Sequence, residues 1–228
     1  MPTIQANYDL FGTEGEAFFP FPMGLPISGD FFDRGSHPWT GVIKFEGFPF
    51  RTFRDPRTGV EHQTGEADTA VLREQDVVIN QIGDQGTTPI VLAALSLRSI
   101  GPIAVRVGNR VQHWDVEVRV SPSRRSAGHM TIYLTSATRG HFDSDFMIVP
   151  EFTFIRQADG VRRVLDFGTV SVPAPRQALA ARISALQAYD VPFELTHPAA
   201  ALQIAGLTST NFAVARVAHH SHIGVQLQ

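Results

Sequence analysis

Between residues 103 and 134 apolar and polar side chains alternate in three successive runs, and this period of two constrains the fold more than any other feature. Ile103, Val105 and Val107 alternate with Ala104 and Arg106. Trp114, Val116, Val118 and Val120 alternate with Asp115, Glu117 and Arg119, and Met130, Ile132 and Leu134 alternate with Thr131 and Tyr133. Successive side chains of an extended chain point to opposite faces, so each run is a strand with one buried and one wet face. Gly108-Asn109 between the first two runs predicts a hairpin, and Asp159-Gly160 between two later extended runs predicts another.

The same punctuation continues along the chain. Short extended runs bounded by Gly, Pro, Asp and Asn recur from Gly41 onward. The spacing predicts a single all-β domain over residues 1–228, an antiparallel β-sandwich or a barrel-like variant of it. One segment departs from that period. Leu179, Ile183 and Leu186 fall at helical spacing among five alanines, which predicts one short helix near 177–188.

Residues 1–40 alternate poorly. Phe18-Phe19-Pro20-Phe21-Pro22 and Phe31-Phe32 mix residues that demand burial with residues that break regular structure. The expectation is an irregular Phe/Pro-rich arm packed on the β-domain. Ten of the seventeen phenylalanines lie before residue 54, so the apolar excess of the chain is concentrated there. The functional counterpart is an exposed aromatic platform of Phe31, Phe32 and Trp39 on which a sugar or another small ligand stacks.

Composition closes off several chemistries. The chain has no cysteine, which removes disulfides and thiolate-ligated zinc or iron–sulfur centres. Its net charge of −3 gives no broad basic face for nucleic acid, and no nucleic-acid partner is expected. No apolar stretch reaches the roughly 18 uninterrupted residues that suggest a membrane span. The N-terminal residues carry no basic region followed by an apolar one, so no signal peptide is expected in this chain and a cytoplasmic location stays open. Lys44 is the one lysine against eighteen arginines, a bias that codon usage explains better than anion recognition does.

The residues from Ala67 to Ser144 resemble a known group. Ala67-Asp68-Thr69-Ala70-Val71-Leu72-Arg73, then Ala94-Leu95-Ser96-Leu97-Arg98-Ser99-Ile100-Gly101-Pro102, Trp114-Asp115-Val116 and His141-Phe142-Asp143-Ser144 follow one another as they do in uncharacterised exported bacterial proteins. Some of those proteins carry a C-terminal sorting signal of the PEP-CTERM type. The resemblance covers roughly residues 41–172. It implies a β-rich domain of the bacterial surface or extracellular space, and it brings no catalytic residues.

Candidate chemistry is sparse. The tail His219-His220-Ser221-His222 places His220 and His222 on one face of an extended segment, half of a site for a divalent transition metal. His141 and Asp143 alternate onto one strand face and could complete such a site or hold a harder cation. A polar turn and a solvated tail explain the same residues without metal, and no cofactor is expected. Nucleophile-elbow, dinucleotide, phosphate-loop and zinc-protease motifs do not occur. The leading expectation is a non-enzymatic structural or adhesive β-sandwich that forms homo-oligomers. The alternatives are a carbohydrate- or small-ligand-binding module and a metal-dependent enzyme using the C-terminal histidines.

Overall fold

The computed structural model describes residues 3–21, 23, 26–136, 139–169, 185–194 and 215–218. Among these the first nine strands are β1 (Thr3–Ile4), β2 (Tyr8–Glu14), β3 (Ala17–Phe21), β4 (Gly41–Gly47), β5 (Arg51–Arg54), β6 (Glu61–Gly65), β7 (Thr69–Arg73), β8 (Val77–Val78) and β9 (Gln85–Leu95). The next nine are β10 (Leu97–Ser99), β11 (Ile103–Val107), β12 (Arg110–Val120), β13 (Ala127–Leu134), β14 (Arg139–Met147), β15 (Pro150–Arg156), β16 (Arg162–Asp166), β17 (Ala185–Glu194) and β18 (Ala215–Ala218). No helix occurs among the described residues.

Two seven-stranded sheets carry the fold. The first has the order β17-β14-β13-β9-β7-β2-β18; the second runs β16-β15-β12-β10-β4-β3, with β11 also paired to β12. Among the described residues all pairings are antiparallel except β18 with β2. The chain visits the sheets alternately: β2 lies in the first, β3 and β4 in the second, β7 and β9 in the first, β10 to β12 in the second, β13 and β14 in the first. The curled sheets pack together as an all-β, sandwich-like fold.

The alternating middle third forms the strands its pattern predicts. Trp114 and Val116 are fully buried and Val118 nearly so, while Arg119 on the other face is exposed. Gly108 takes the positive φ of 56° that a two-residue hairpin asks of its first central residue. Each sheet encloses its own core. The first holds Ile90, Leu92, Met130, Ile132 and Phe142; the second holds Phe19, Phe45, Trp114, Phe152 and Phe154; Leu95 packs against both. Each fully buried side chain of this size is worth about 1.5–3 kcal/mol relative to exposure.

Two expectations need correction. The helix near 177–188 falls partly outside the described residues (177–184), but Ala185–Ala188 begin strand β17, where Met147 pairs with Ala185 and Ser144 with Ala188. Helix propensity is a weak prior of at most about 1 kcal/mol per ordinary residue, and an antiparallel partner strand overrides it. The second correction concerns residues 1–40, expected to be irregular. Strands β1, β2 and β3 lie there, and only 26–40 is held by isolated bridges, Ile27 to Trp39 and Ser36 to Val107. Strand β2 shows no alternation because both of its faces are covered. Phe11 points into the first core, while Tyr8 and Leu10 pack under Phe53 of the β5–β6 hairpin. Pro20 is accommodated because β3, among the described residues, is an edge strand that pairs only with β4.

Polar staples lock the places where the chain changes sheets. The Asp68 backbone N–H donates to Phe11, and its carboxylate accepts from the Thr13 N–H (2.7 Å) and the Thr69 hydroxyl (2.7 Å). Ser96, between β9 and β10, donates its N–H to the Asp68 carbonyl at 2.8 Å. Deeper in the first sheet, Arg73 holds Asp9 through Nε (2.8 Å) and Nη2 (3.2 Å), with both side chains fully buried.

Candidate interaction surface

The aromatic residues proposed as a ligand platform serve the interior. Asp30 adopts a left-handed φ of 65°, and its carboxylate accepts from the Gly35 N–H, closing a tight loop that turns Phe31 and Phe32 inward. Phe32 is 0% exposed and meets Phe154 edge-on at 5.1 Å and Trp114 at 5.3 Å. Phe31 is half-buried against both Phe32 and Phe154. Trp39 donates its indole N–H to the Ala104 carbonyl at 3.1 Å and packs against Phe21. Arg163 Nε donates to the Phe32 carbonyl and Arg156 Nη1 to the Asp33 carboxylate, so the loop is tied down at both ends. Phe32 therefore presents no ring face to solvent, and it fills the end of the second core.

His141 and Asp143 do lie on one face of β14. Tyr133, on the adjacent strand, stacks on the His141 ring at 4.6 Å and donates its hydroxyl to Asp143 at 3.2 Å. Burial and the Asp143 carboxylate together push the Tyr133 hydroxyl above its ordinary pKa. No three His, Asp or Glu side chains converge as a metal cage among the described residues. His220 and His222 lie outside the described residues.

A different surface stands out on the outer face of the second sheet, at its β3 edge. Phe18 pairs across the ladder with Lys44, Pro20 pairs with Val42, and the Ile100 N–H reaches the Lys44 carbonyl. Because Ile43 and Phe45 point inward, their neighbours Val42 and Lys44 point outward. Val42 is 59% exposed, Ile100 48% and Phe18 37%, which makes an apolar strip around the Lys44 stem. Charges of both signs border it. Lys44 pairs with Glu16 at 2.9 Å and lies over the Phe18 ring, and Arg98 pairs with Glu46 at 3.0 Å. Exposed pairs of this kind hold the fold by only about 0–1 kcal/mol each. The alternation of 41–47 is readable in the sequence, but the juxtaposition of Phe18, Val42 and Ile100 needs the order β3-β4-β10.

No protein-family model matches the chain, and neither a curated protein nor a solved structure matches it. Among the described residues no helix is long and apolar enough to cross a membrane.

Proposed function

We propose that the protein is a non-enzymatic structural or adhesive β-sandwich protein that self-associates. The observation that carries this reading is the exposed strip of Phe18, Val42 and Ile100 on the outer face of an edge-proximal pair of strands. Exposed apolar side chains gathered on one face and rimmed by charge are characteristic of interaction surfaces. The rim suits a second copy of the same face. It carries cations and anions side by side, Lys44 with Glu16 and Arg98 with Glu46, and a rim of mixed sign presents no like-charge barrier to a second copy of the same face. A bacterial-surface or extracellular setting is the companion proposal, resting on the resemblance of residues 41–172.

The test is sedimentation equilibrium of the full chain across a wide concentration range. The expected result is a concentration-dependent dimer or higher oligomer that Val42→Glu shifts to monomer by at least about tenfold in dissociation constant. Val42 is exposed, so the variant keeps its fold by circular dichroism. A strictly monomeric wild type, or an oligomer indifferent to Val42→Glu, rejects the reading. Immunodetection on intact against lysed cells tests the surface location.

A further inference from the structure

A cleft of about 470 Å³ opens where β9 leaves the first sheet and β10 enters the second. Its existence follows from the pairing. Ala94 and Leu95 pair with β7 on one side, but β13 accompanies β9 only as far as Val91. Arg119 and Val120 pair with β15 on one side, but β10 accompanies β12 only as far as Val118. Among the described residues two strand edges thus diverge with no strand between them, and the corner at 48–54 forms the remaining wall. The volume lies within the roughly 300–1,000 Å³ usual for small-molecule sites.

The lining has a clear chemistry. Ala94, Leu95, Val118 and Val120 form an apolar floor, and Phe50 stands beside it. The ionisable lining residues are Arg54, Arg119 and Glu117, two cations to one anion in a chain whose net charge is −3. Arg119 is 69% exposed, and its ion pair with Glu117 is stretched to 4.0 Å. Arg54 is oriented by donating Nε to the Gly59 carbonyl at 3.1 Å.

The backbone at this wall is strained. Arg51 has a φ of 61°, and the Thr52 N–H closes a three-residue turn onto the Phe50 carbonyl at 2.6 Å. Such a conformation at a non-glycine residue is costly and is concentrated at functional sites. Its effect is to set both Phe50 and Thr52 along the cleft.

We propose that this cleft binds a small organic anion, a carboxylate on an aliphatic stem, with the stem over Leu95 and Val120 and the carboxylate facing Arg119 and Arg54. The cleft adjoins the rim of the self-association strip, since Arg98 lies over Phe48, but the two proposals rest on different residues and neither depends on the other. Guanidinium forks suit carboxylates, and the apolar floor rewards a stem that acetate lacks.

The experiment is calorimetric titration of the full chain with octanoate, with octanol as the neutral analogue and acetate as the stemless one. Octanoate saturates a single site, with octanol and acetate at least about tenfold weaker. Arg119→Ala weakens octanoate about fivefold or more, and Arg119→Glu removes measurable binding. Both changes are at an exposed side chain, and circular dichroism checks that the fold is kept. Equal affinity for octanol, octanoate binding unchanged in both variants, or no octanoate binding by the wild type overturns the proposal. Arg119-dependent sedimentation with anionic phospholipid vesicles, without binding of the free acid, overturns it in favour of a membrane surface.

Discussion

The two cores of this protein are built from different materials. The first sheet encloses mainly aliphatic side chains, Ile4, Val71, Ile79, Ile90, Leu92, Ile132 and Leu134 among them, with Phe11 and Phe142. The second is richer in rings, with Phe19, Phe21, Phe32, Phe45, Trp114, Phe152 and Phe154 set among the aliphatic Ile27, Ile43, Ile103, Val105, Val116 and Val118. Aliphatic groups fill space without directional demand, whereas aromatic rings favour edge and offset contacts worth about 0.5–1.5 kcal/mol beyond burial. The polar staples differ in the same way. The first region sequesters its Asp9–Arg73 pair completely, while the second ties its loop with the partly solvated Arg156, which bonds both Asp33 and Asp159. An aromatic core needs its rings placed, and the loop at 26–40 supplies one of them, Phe32, under external ties.

The largest expected effect breaks the sequestered pair. Arg73→Ala leaves Asp9 buried opposite nothing, at a cost of about 3–5 kcal/mol in urea unfolding. The double variant Asp9→Leu with Arg73→Met recovers most of that loss, because a well-packed apolar pair replaces a buried charged one at little net cost. No recovery would mean that the pair also specifies the position of β2 against β7.

A single substitution in each core sharpens the contrast further. Phe32→Leu forfeits ring contacts with Phe31, Phe154 and Trp114, and is expected to cost about 2–3 kcal/mol. Ile132→Leu in the aliphatic core is expected to cost less than about 1.5 kcal/mol. Equal losses in the two variants remove the distinction between the cores.

The smallest effect is one of sign. Burial pushes the Asp9 carboxyl up to about 6, with Arg73 pulling against it. A folded-state pKa above the unfolded value of roughly 4 means that Asp9 favours the folded state fully below pH ~4, and that this contribution fades as pH rises to about 6. Asp33 behaves oppositely. Hydrogen bonds from Gln112 and Arg156 hold it below the ordinary carboxylate range, so its contribution is present above pH ~4 and is lost as acid protonates it. Unfolding curves of Asp9→Asn and Asp33→Asn from pH 3 to 7 therefore diverge from wild type with opposite slopes.

How much of this was legible depended on how many faces of a strand are wet. β11, β12 and β13 each keep one solvated face, so their polar residues mark the period. β2 has Tyr8, Asp9, Leu10 and Phe11 all buried, and nothing in its composition distinguishes two covered faces from an irregular arm. Its buried charge at Asp9 is answered by Arg73, 64 positions away. The alanines of 185–188 carried a helical preference that pairing with β14 overruled. Phe31 and Phe32 favoured packing over a ligand platform by residue type alone, and their partners Trp114 and Phe154 show where they pack.

The sequence by itself determined the all-β class, the hairpin at Gly108-Asn109 and the exclusion of thiol chemistry, because period, turn residues and missing cysteines are local properties. Only the tertiary structure decided which edge Phe18, Val42 and Ile100 share, and that β9 and β12 part to open a cleft floored by Leu95 and Val120. Sheet order and strand divergence are set by burial summed over pairings distant in sequence, and no short window of residues carries that sum.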